Sequence, residues 1–397
     1  MSTAPTASPP PVRLTSLDAY RGLVMFLMMA EVLRLAAVAA AVPDSAFWRF
    51  LAYHQSHVEW VGLALHDLIQ PSFSFLVGAA LPFSLAGRAA RGQSRRRMVL
   101  HAVYRAAVLV LLGIFLRSIG SPTTNFTFVD TLTQIGLGYP LLFLLGLASV
   151  RVQWVAFVAI LVGYWALFAL YPLPGPEFDW AKAGVAADWP YHLDGFAAHW
   201  NKNTNPAAAF DVWFLNLFPR QKPFLFSDGG YTTLNFVPTL ATMILGLLAG
   251  GVLRSERTAR QKLAWLVGAG LVTLVIGYGL GEFGIVPVVK RIWTPSWVLY
   301  SGGWCLLLTA AFYAVLDVAG RRGWAFPLVV IGMNSIAAYC MAWLFKGFIS
   351  AALRRHLGAA FQAFGTVYEP LLLGGATLLV LWLLLYTMYR RGLFLRI

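Results

Sequence analysis

The sequence predicts an all-α integral membrane protein of about ten transmembrane helices, on three observations. The 397-residue chain is 59% hydrophobic and only 12% charged, with a mean hydropathy of +0.69, which leaves too few polar side chains to cover a water-soluble surface. Apolar runs of about 20 residues recur along it, each long enough to cross a bilayer core as a helix. Those runs lack the two-residue alternation of barrel strands, and backbone inside lipid must satisfy its own hydrogen bonds, so helices remain.

Residues 1–14 are rich in Pro, Ser, Thr and Ala and read as a short disordered tail. They lack the cationic start and small-residue cleavage site of a signal peptide, so the first span is expected to be retained. The rest, 15–397, reads as one transmembrane unit. Its spans are predicted at 19–42, 61–87, 99–119, 129–148, 153–172, 233–253, 263–283, 296–318, 325–350 and 369–390. Thr15 and Asp18 form a capping-box-like pair at the start of the first. Residues 173–232 form a long loop or cap carrying Trp180, Trp189, Trp200 and Trp213, either as a folded interfacial cap or as a carbohydrate platform. No internal repeat is evident, which disfavours inverted-repeat transporter folds.

The net charge of +14 is carried mainly in short segments between spans: Arg88 to Arg97, Arg254 to Lys262, Arg321 with Arg322, and Arg390 with Arg391 and Arg396. Lys and Arg stay on the cytoplasmic side, so this pattern puts both termini in the cytoplasm and 173–232 outside, in the periplasm of a bacterial inner membrane. Cations placed this way build no basic groove interleaved with aromatics, and no nucleic-acid partner is expected. Cys305 and Cys340 both lie in apolar runs and imply no disulfide framework; no metal site is expected either.

The most informative stretch runs from His57 to Ser84. His57 is expected at the outer mouth of the second span, with Trp60 one turn on. Inside the span His66, Gln70 and Ser74 recur every four residues beside Asp67, a polar stripe that must face protein or a hydrated cavity. In a regular helix Pro71 lacks the N–H that would bond the carbonyl of residue 67, so Asp67 presents a carboxylate and a freed carbonyl together; the alternative is an Asp paired with a neighbouring Arg beside a kink. Helical spacing also puts Asp67 about 15 Å from His57, out of contact, as an anchor for the channel or the cofactor arm. In the first span, Asp18 with Arg21 and Glu31 with Arg34 are spaced to neutralise each other. Arg105, one turn from the inner surface, either snorkels or meets a phosphate. In the ninth span Gly332, Asn334, Ser335 and Tyr339 form a face suited to close packing or a cavity wall.

RLTSLDAYRGLVMFLMM at the start, the HVEW block at His57, DGGYTTLNF from Asp228, KRIWTPSW from Lys290 and GMNSIAAY around Asn334 keep their order across nearly all spans. Together they resemble the heparan-alpha-glucosaminide N-acetyltransferase family and its uncharacterised bacterial relatives. That resemblance implies a membrane enzyme that acetylates a sugar on the far side using acetyl-coenzyme A from the cytoplasm, with a homodimer possible. It makes His57, three residues ahead of Trp60, the catalytic histidine, and matches Asp67, Leu68 and Pro71 to the family's DL-x-x-P segment. Val32 and Gln134 stand where the family has an asparagine and an arginine.

The resulting candidate set has His57 and Asp67 as catalytic residues. Trp60, Glu31, Asn334, Asp228 and Lys290 are assigned to an amino-sugar or other glycan acceptor, and Arg21, Arg105, His66 and Gln70 to acetyl-coenzyme A. His57 either takes a proton from the attacking amine or hydroxyl or carries the acetyl group itself. The alternative is an ion-coupled transporter or permease for a sugar or envelope precursor, using the same cavity.

Overall fold

The computed structural model describes residues 14–395, so the expected tail up to residue 13 and the cation Arg396 lie outside the described residues. Among the described residues the chain is helical, with a single isolated bridge between Val61 and Val289. The helices are α1 (Thr15–Met29), α2 (Leu35–Ala41), α3 (Ala46–His54), α4 (Ile69–Ala90), α5 (Arg95–Ser118), α6 (Thr131–Gly146), α7 (Val150–Ala169) and α8 (Pro206–Phe214). They are followed by α9 (Phe236–Arg254), α10 (Ala259–Glu282), α11 (Pro295–Phe312), α12 (Phe326–Met333), α13 (Ser335–Leu344), α14 (Lys346–Leu357) and α15 (Glu369–Arg390).

Seven of these, counting short 3-10 extensions, are long and apolar enough to cross a membrane, and nine if each of two bent pairs is one span. The bent pairs are α1 with α2, broken by 40°, and α12 with α13, broken by 70°. The expected span at 129–148 is the 16-residue α6, shorter than a full crossing. Each predicted span contains helix; residues 61–64 of the second lie outside it, and two spans are broken where continuous ones were expected.

Burial separates centre from rim. In α9, 78% of the apolar window is inside the molecule, against 22% in α10. Peripheral helices turn Leu111, Phe115, Val155, Val162 and Val275 outward, as a lipid-facing surface requires. Lipid supplies no hydrophobic drive between helices, so the centre relies on close packing. A Cβ added at Gly78 of α4 would fall inside van der Waals range of the Met243 carbonyl on α9, and one at Gly332 would meet the Asp18 carbonyl. Gly332 thus serves close packing and, with Ser335, also lines a cavity.

Two local expectations are corrected. Thr15 is the first helical residue of α1 rather than its cap, and the N–H groups of Thr15 and Ser16 donate to the Asp317 carboxylate, both at 3.1 Å. Asp317 reaches them from the single π-helical stretch Tyr313–Val318 that ends α11. Pro71 stands in the first turn of α4, directly behind a 3-10 turn (Leu65–Leu68), so it starts a helix instead of kinking one. Cys305 and Cys340 are free thiols.

Candidate active site

Because regular helix begins only at Leu65, residues 57–64 are free to fold back over the start of α4. Asp67 organises that fold. One oxygen, Oδ2, accepts the backbone N–H groups of Val58 (3.2 Å) and Ala64 (3.1 Å); the other, Oδ1, faces His57 Nδ1 (2.8 Å) and Lys290 Nζ (3.0 Å). His57 and Asp67 are in direct contact, contrary to the helical spacing, because the intervening residues are not helix. The buried Asp67 has a Lys partner, where the sequence alternative named an Arg.

Lys290 arrives from the opposite direction. Gly62 N–H donates to the Val288 carbonyl (3.0 Å), beside the Val61–Val289 bridge, which fixes the 285–294 segment against the 57–64 strap. The turn after Lys290 holds Trp293 in the left-handed region (φ 49), a conformation that persists only where surrounding structure enforces it. Arg291 adds a second tie, donating to the carbonyls of Gly229 (2.9 Å) and Val58 (3.4 Å).

This geometry fixes the tautomer. Lys290 Nζ also lies 3.0 Å from His57 Nδ1. The ionised Asp67 carboxylate can only accept, so both nitrogens donate to its shared oxygen, and the imidazole carries its proton on Nδ1. Nε2 is left as the nitrogen with a free lone pair. Burial, followed by the Lys290 and His66 charges, holds His57 below its ordinary 6.5 against the opposing pull of Asp67. The ring is therefore neutral at pH 7, with its basic nitrogen available.

His57 lines a cavity of about 500 Å³. His66 stands beside it, ring centroids 4.6 Å apart, with Nε2 3.0 Å from Glu31 Oε1; the other Glu31 oxygen takes Lys346 at 3.5 Å. Glu31 therefore does not neutralise Arg34. The helix breaks at Arg34 (φ 50), which removes the expected i,i+3 register. By contrast, Asp18 and Arg21 do pair, at 3.5 Å. Gln70 lines the same cavity.

A second cavity, of about 630 Å³, lies deeper. Arg21, Arg88, Arg91, His101 and Arg105 line it, and Arg105 donates to the Tyr139 hydroxyl at 3.1 Å. The same five helices wall both cavities: Arg21 and Met28 on α1, Phe73 and Gln70 on α4, Arg105 and Arg117 on α5, Leu132 and Thr131 on α6, Ile336 and Tyr339 on α13. On α4 the two linings are three residues apart, about 4.5 Å of rise. The cavities are thus stacked end to end across a partition about one turn thick, with the buried Met25 between Arg21 and Met28.

The expected set divides accordingly. His57, Asp67, Lys290, Glu31, His66 and Gln70 come together at one end, and Arg21 and Arg105 meet at the other. His66 and Gln70 do not join Arg21 and Arg105, because His66 stands in the 3-10 turn before α4 and Gln70 in the first turn of α4, whereas the arginines lie farther along the bundle. Three acceptor residues fall outside the His57 cavity. Trp60 is buried and donates to the Trp200 carbonyl at 3.1 Å; Asp228 is exposed. Asn334 sits at the α12–α13 break, donating to the Leu393 carbonyl (2.9 Å) and accepting from Leu395 N–H (3.0 Å). In each case the group is committed elsewhere or lies away from the wall. Among the aromatics of 173–232, Trp200 is fully buried and Trp189 packs edge-on to Trp60, while Trp213, Phe196 and Tyr191 are exposed.

Arg117, Asp130, Tyr231 and Lys346 also line the cavity, none of them in the expected set. Arg117 and Lys346 had a readable signal, each being a lone cation near the outer end of an apolar run. Asp130 caps α6, accepting from Leu132 and Thr133 N–H, and its place in the wall is invisible without the fold. Gln134, the departure from the family arginine, donates to the Thr233 carbonyl at 3.2 Å and ties α6 to the end of the cap.

No family model matches the chain. It is similar to the human protein named heparan-alpha-glucosaminide N-acetyltransferase, 24% identical over 379 residues, covering 85% of this chain and 54% of that one. The mouse protein of the same name is 22% identical over 366 residues, covering 82% and 53%. The chain spans about half the length of the curated relatives it matches.

Proposed function

We propose, from the chain's membership of the heparan-alpha-glucosaminide N-acetyltransferase family, that it is a membrane acetyltransferase carrying an acetyl group from acetyl-coenzyme A to an amino sugar or other glycan acceptor. The observation that carries this reading is the stacking of a cation-lined cavity on one containing an oriented, neutral histidine. Phosphates of the donor suit the arginines; a slender thioester arm reaching across one helical turn brings its carbonyl to the His57 end.

Two routes use the same Nε2. As general base, His57 takes the acceptor's proton while the amine or hydroxyl attacks the thioester carbonyl; the C–S bond breaks and the proton passes to the departing thiolate. As nucleophile, Nε2 bonds to the carbonyl carbon and expels the thiolate, and the acceptor then displaces the imidazole. In either route Asp67 holds Nδ1–H in place and stabilises the positive ring, by the logic of a His–Asp pair.

The wider setting belongs to the same proposal. Residues 15–397 form one unit of ten spans in a bacterial inner membrane, with the cationic cavity and both termini cytoplasmic and the His57 cavity and the 173–232 cap periplasmic, following the arginine distribution. A homodimer rests on the family likeness alone. The test is to supply the full chain, reconstituted in vesicles, with acetyl-labelled coenzyme A and glucosamine. Acetylated sugar and free coenzyme A in equal amounts support the reading. Label that crosses the vesicle without coenzyme A release overturns it in favour of a transporter.

A further inference from the structure

Beside the His57 cavity lies another, of about 620 Å³, between the turn after α1, α14 and the first turns of α15. Arg34, Lys346, Arg354 and Arg355 line it, and Val32 and Leu373 supply apolar wall. Lys346 is matched by Glu31 (3.5 Å) and Arg354 by Glu369 (3.1 Å), whereas Arg34 and Arg355 have no acidic partner among the described residues. The cavity holds more positive charge than its walls offset.

Arg34 is held there by construction. It stands in the left-handed region at the α1–α2 break, and Gln55 secures both sides of that break, donating to the Ala30 carbonyl (2.7 Å) and accepting from Leu35 N–H (2.8 Å). Non-glycine residues in this conformation cluster at ligand clamps. Phe345 and Phe348, at and just beyond the start of α14, are 46% and 74% exposed, so this flank meets the bilayer at interfacial depth. Glu31, Lys346 and Gly347 are walls common to this cavity and the His57 cavity.

Uncompensated arginines select an anion, an apolar wall beside the membrane selects a hydrocarbon chain, and the shared wall leads toward His57. We infer that this cavity binds the phosphate head of a membrane amphiphile. Resting on the acetyltransferase reading, the acceptor is then a glycan carried on a lipid phosphate, with the phosphate on Arg34 and Arg355 and the sugar extending past Glu31. Free inorganic phosphate satisfies only the arginines.

The test uses the full chain in maltoside micelles, with hexadecyl phosphate as probe and thermal stabilisation as readout. The amount of probe giving half-maximal stabilisation should rise about tenfold in the Arg34→Gln/Arg355→Gln double variant, which loses two charge-assisted contacts. Inorganic phosphate at the same concentration should give no stabilisation. Arg355→Gln alone provides a milder second variant. An unchanged response in both variants, or equal stabilisation by inorganic phosphate, overturns the amphiphile site. Separately, the rate of acetyl transfer to a lipid-phosphate-linked amino sugar, divided by the rate to free glucosamine, should fall in the variants; an unchanged ratio removes the acceptor role. If the unmodified chain transfers no acetyl group yet binds hexadecyl phosphate through these arginines, the acetyltransferase reading fails and the binding site stands.

Discussion

The two stacked cavities differ less in size than in how their charges are arranged. At the His57 end, Asp67, His57 and Lys290 satisfy one another, as do Glu31, His66 and Lys346. At the other end, four arginines and a histidine line the wall; Arg21 is matched by Asp18, no carboxylate stands among the lining residues, and the buried Nε of Arg105 has no partner among the described residues. Charges locked to each other hold a reacting group in one orientation, while an excess of one sign favours a ligand that brings the other. Under the proposed function the first end does the chemistry and the second binds the donor.

The largest effect that sharpens this contrast should come from Asp67→Asn. It removes the acceptor that fixes Nδ1–H and leaves Lys290 without its buried counter-ion. We expect acetyl transfer to fall on the order of 10³–10⁴-fold, as for loss of the carboxylate of a His–Asp pair, and unfolding free energy to fall by about 3–5 kcal/mol. Rates measured on the folded fraction, alongside thermal unfolding, separate the two; an unchanged rate would make the carboxylate purely structural.

Lys290→Met should have a smaller effect on rate, about tenfold, and a distinct effect on pH dependence. The Lys290 charge helps hold His57 below 6.5, so its removal raises the histidine's pKa. Because the neutral ring is the active form, activity in the native chain is retained as pH falls to 6.5, and the acidic limb of the profile moves to higher pH in the variant. A limb that stays put would detach Lys290 from the electrostatics of His57.

At the binding end, Arg105→Ala should raise KM for acetyl-coenzyme A about tenfold with little change in kcat, the signature of lost uniform binding. Steady-state kinetics with varied donor decide it, and a fall in kcat alone would place chemistry at the wrong end.

The smallest effect concerns a carboxylate in neither of the two stacked cavities. Asp211 in α8 accepts from Thr233 N–H (2.9 Å), and burial raises its pKa from 3.8 to about 6. The folded state therefore holds the proton more tightly than the unfolded chain, and ionisation costs stability increasingly as pH rises from 3.8 through about 6. Asp211→Asn should stabilise the fold above pH 6 by an amount of order one kcal/mol, seen as a higher melting temperature, and make no difference below pH 4. Melting curves at both pH values check this, and an equal change at both would refute the ionisation argument.

Much of the fold was legible because apolar runs and arginine clusters leave a mark at every span. The breaks at Arg34 and Asn334 left none, since each is maintained by partners distant in sequence, Gln55 in one case and Leu393 with Leu395 in the other. The residue types of the site were also legible: His57, Asp67, His66 and Gln70 stand out in an otherwise apolar stretch. Their geometry was not, because helical periodicity ceases before Leu65, and a carboxylate that gathers two backbone N–H groups from a strap obeys no spacing rule. Lys290 was picked out through family likeness as an acceptor contact, and the structure makes it the third member of the His57–Asp67 cluster. Trp60 and Asn334 lie off the His57 cavity because a buried indole or amide takes partners anywhere in the molecule, and both donate to backbone carbonyls.

The central claim is that His57 Nε2 performs the transfer. It is tested most directly by coenzyme A release from acetyl-coenzyme A with glucosamine present, comparing the purified chain with folded His57→Ala. Release dependent on the sugar in the first and reduced to background in the second is the predicted result; equal turnover in both would contradict it.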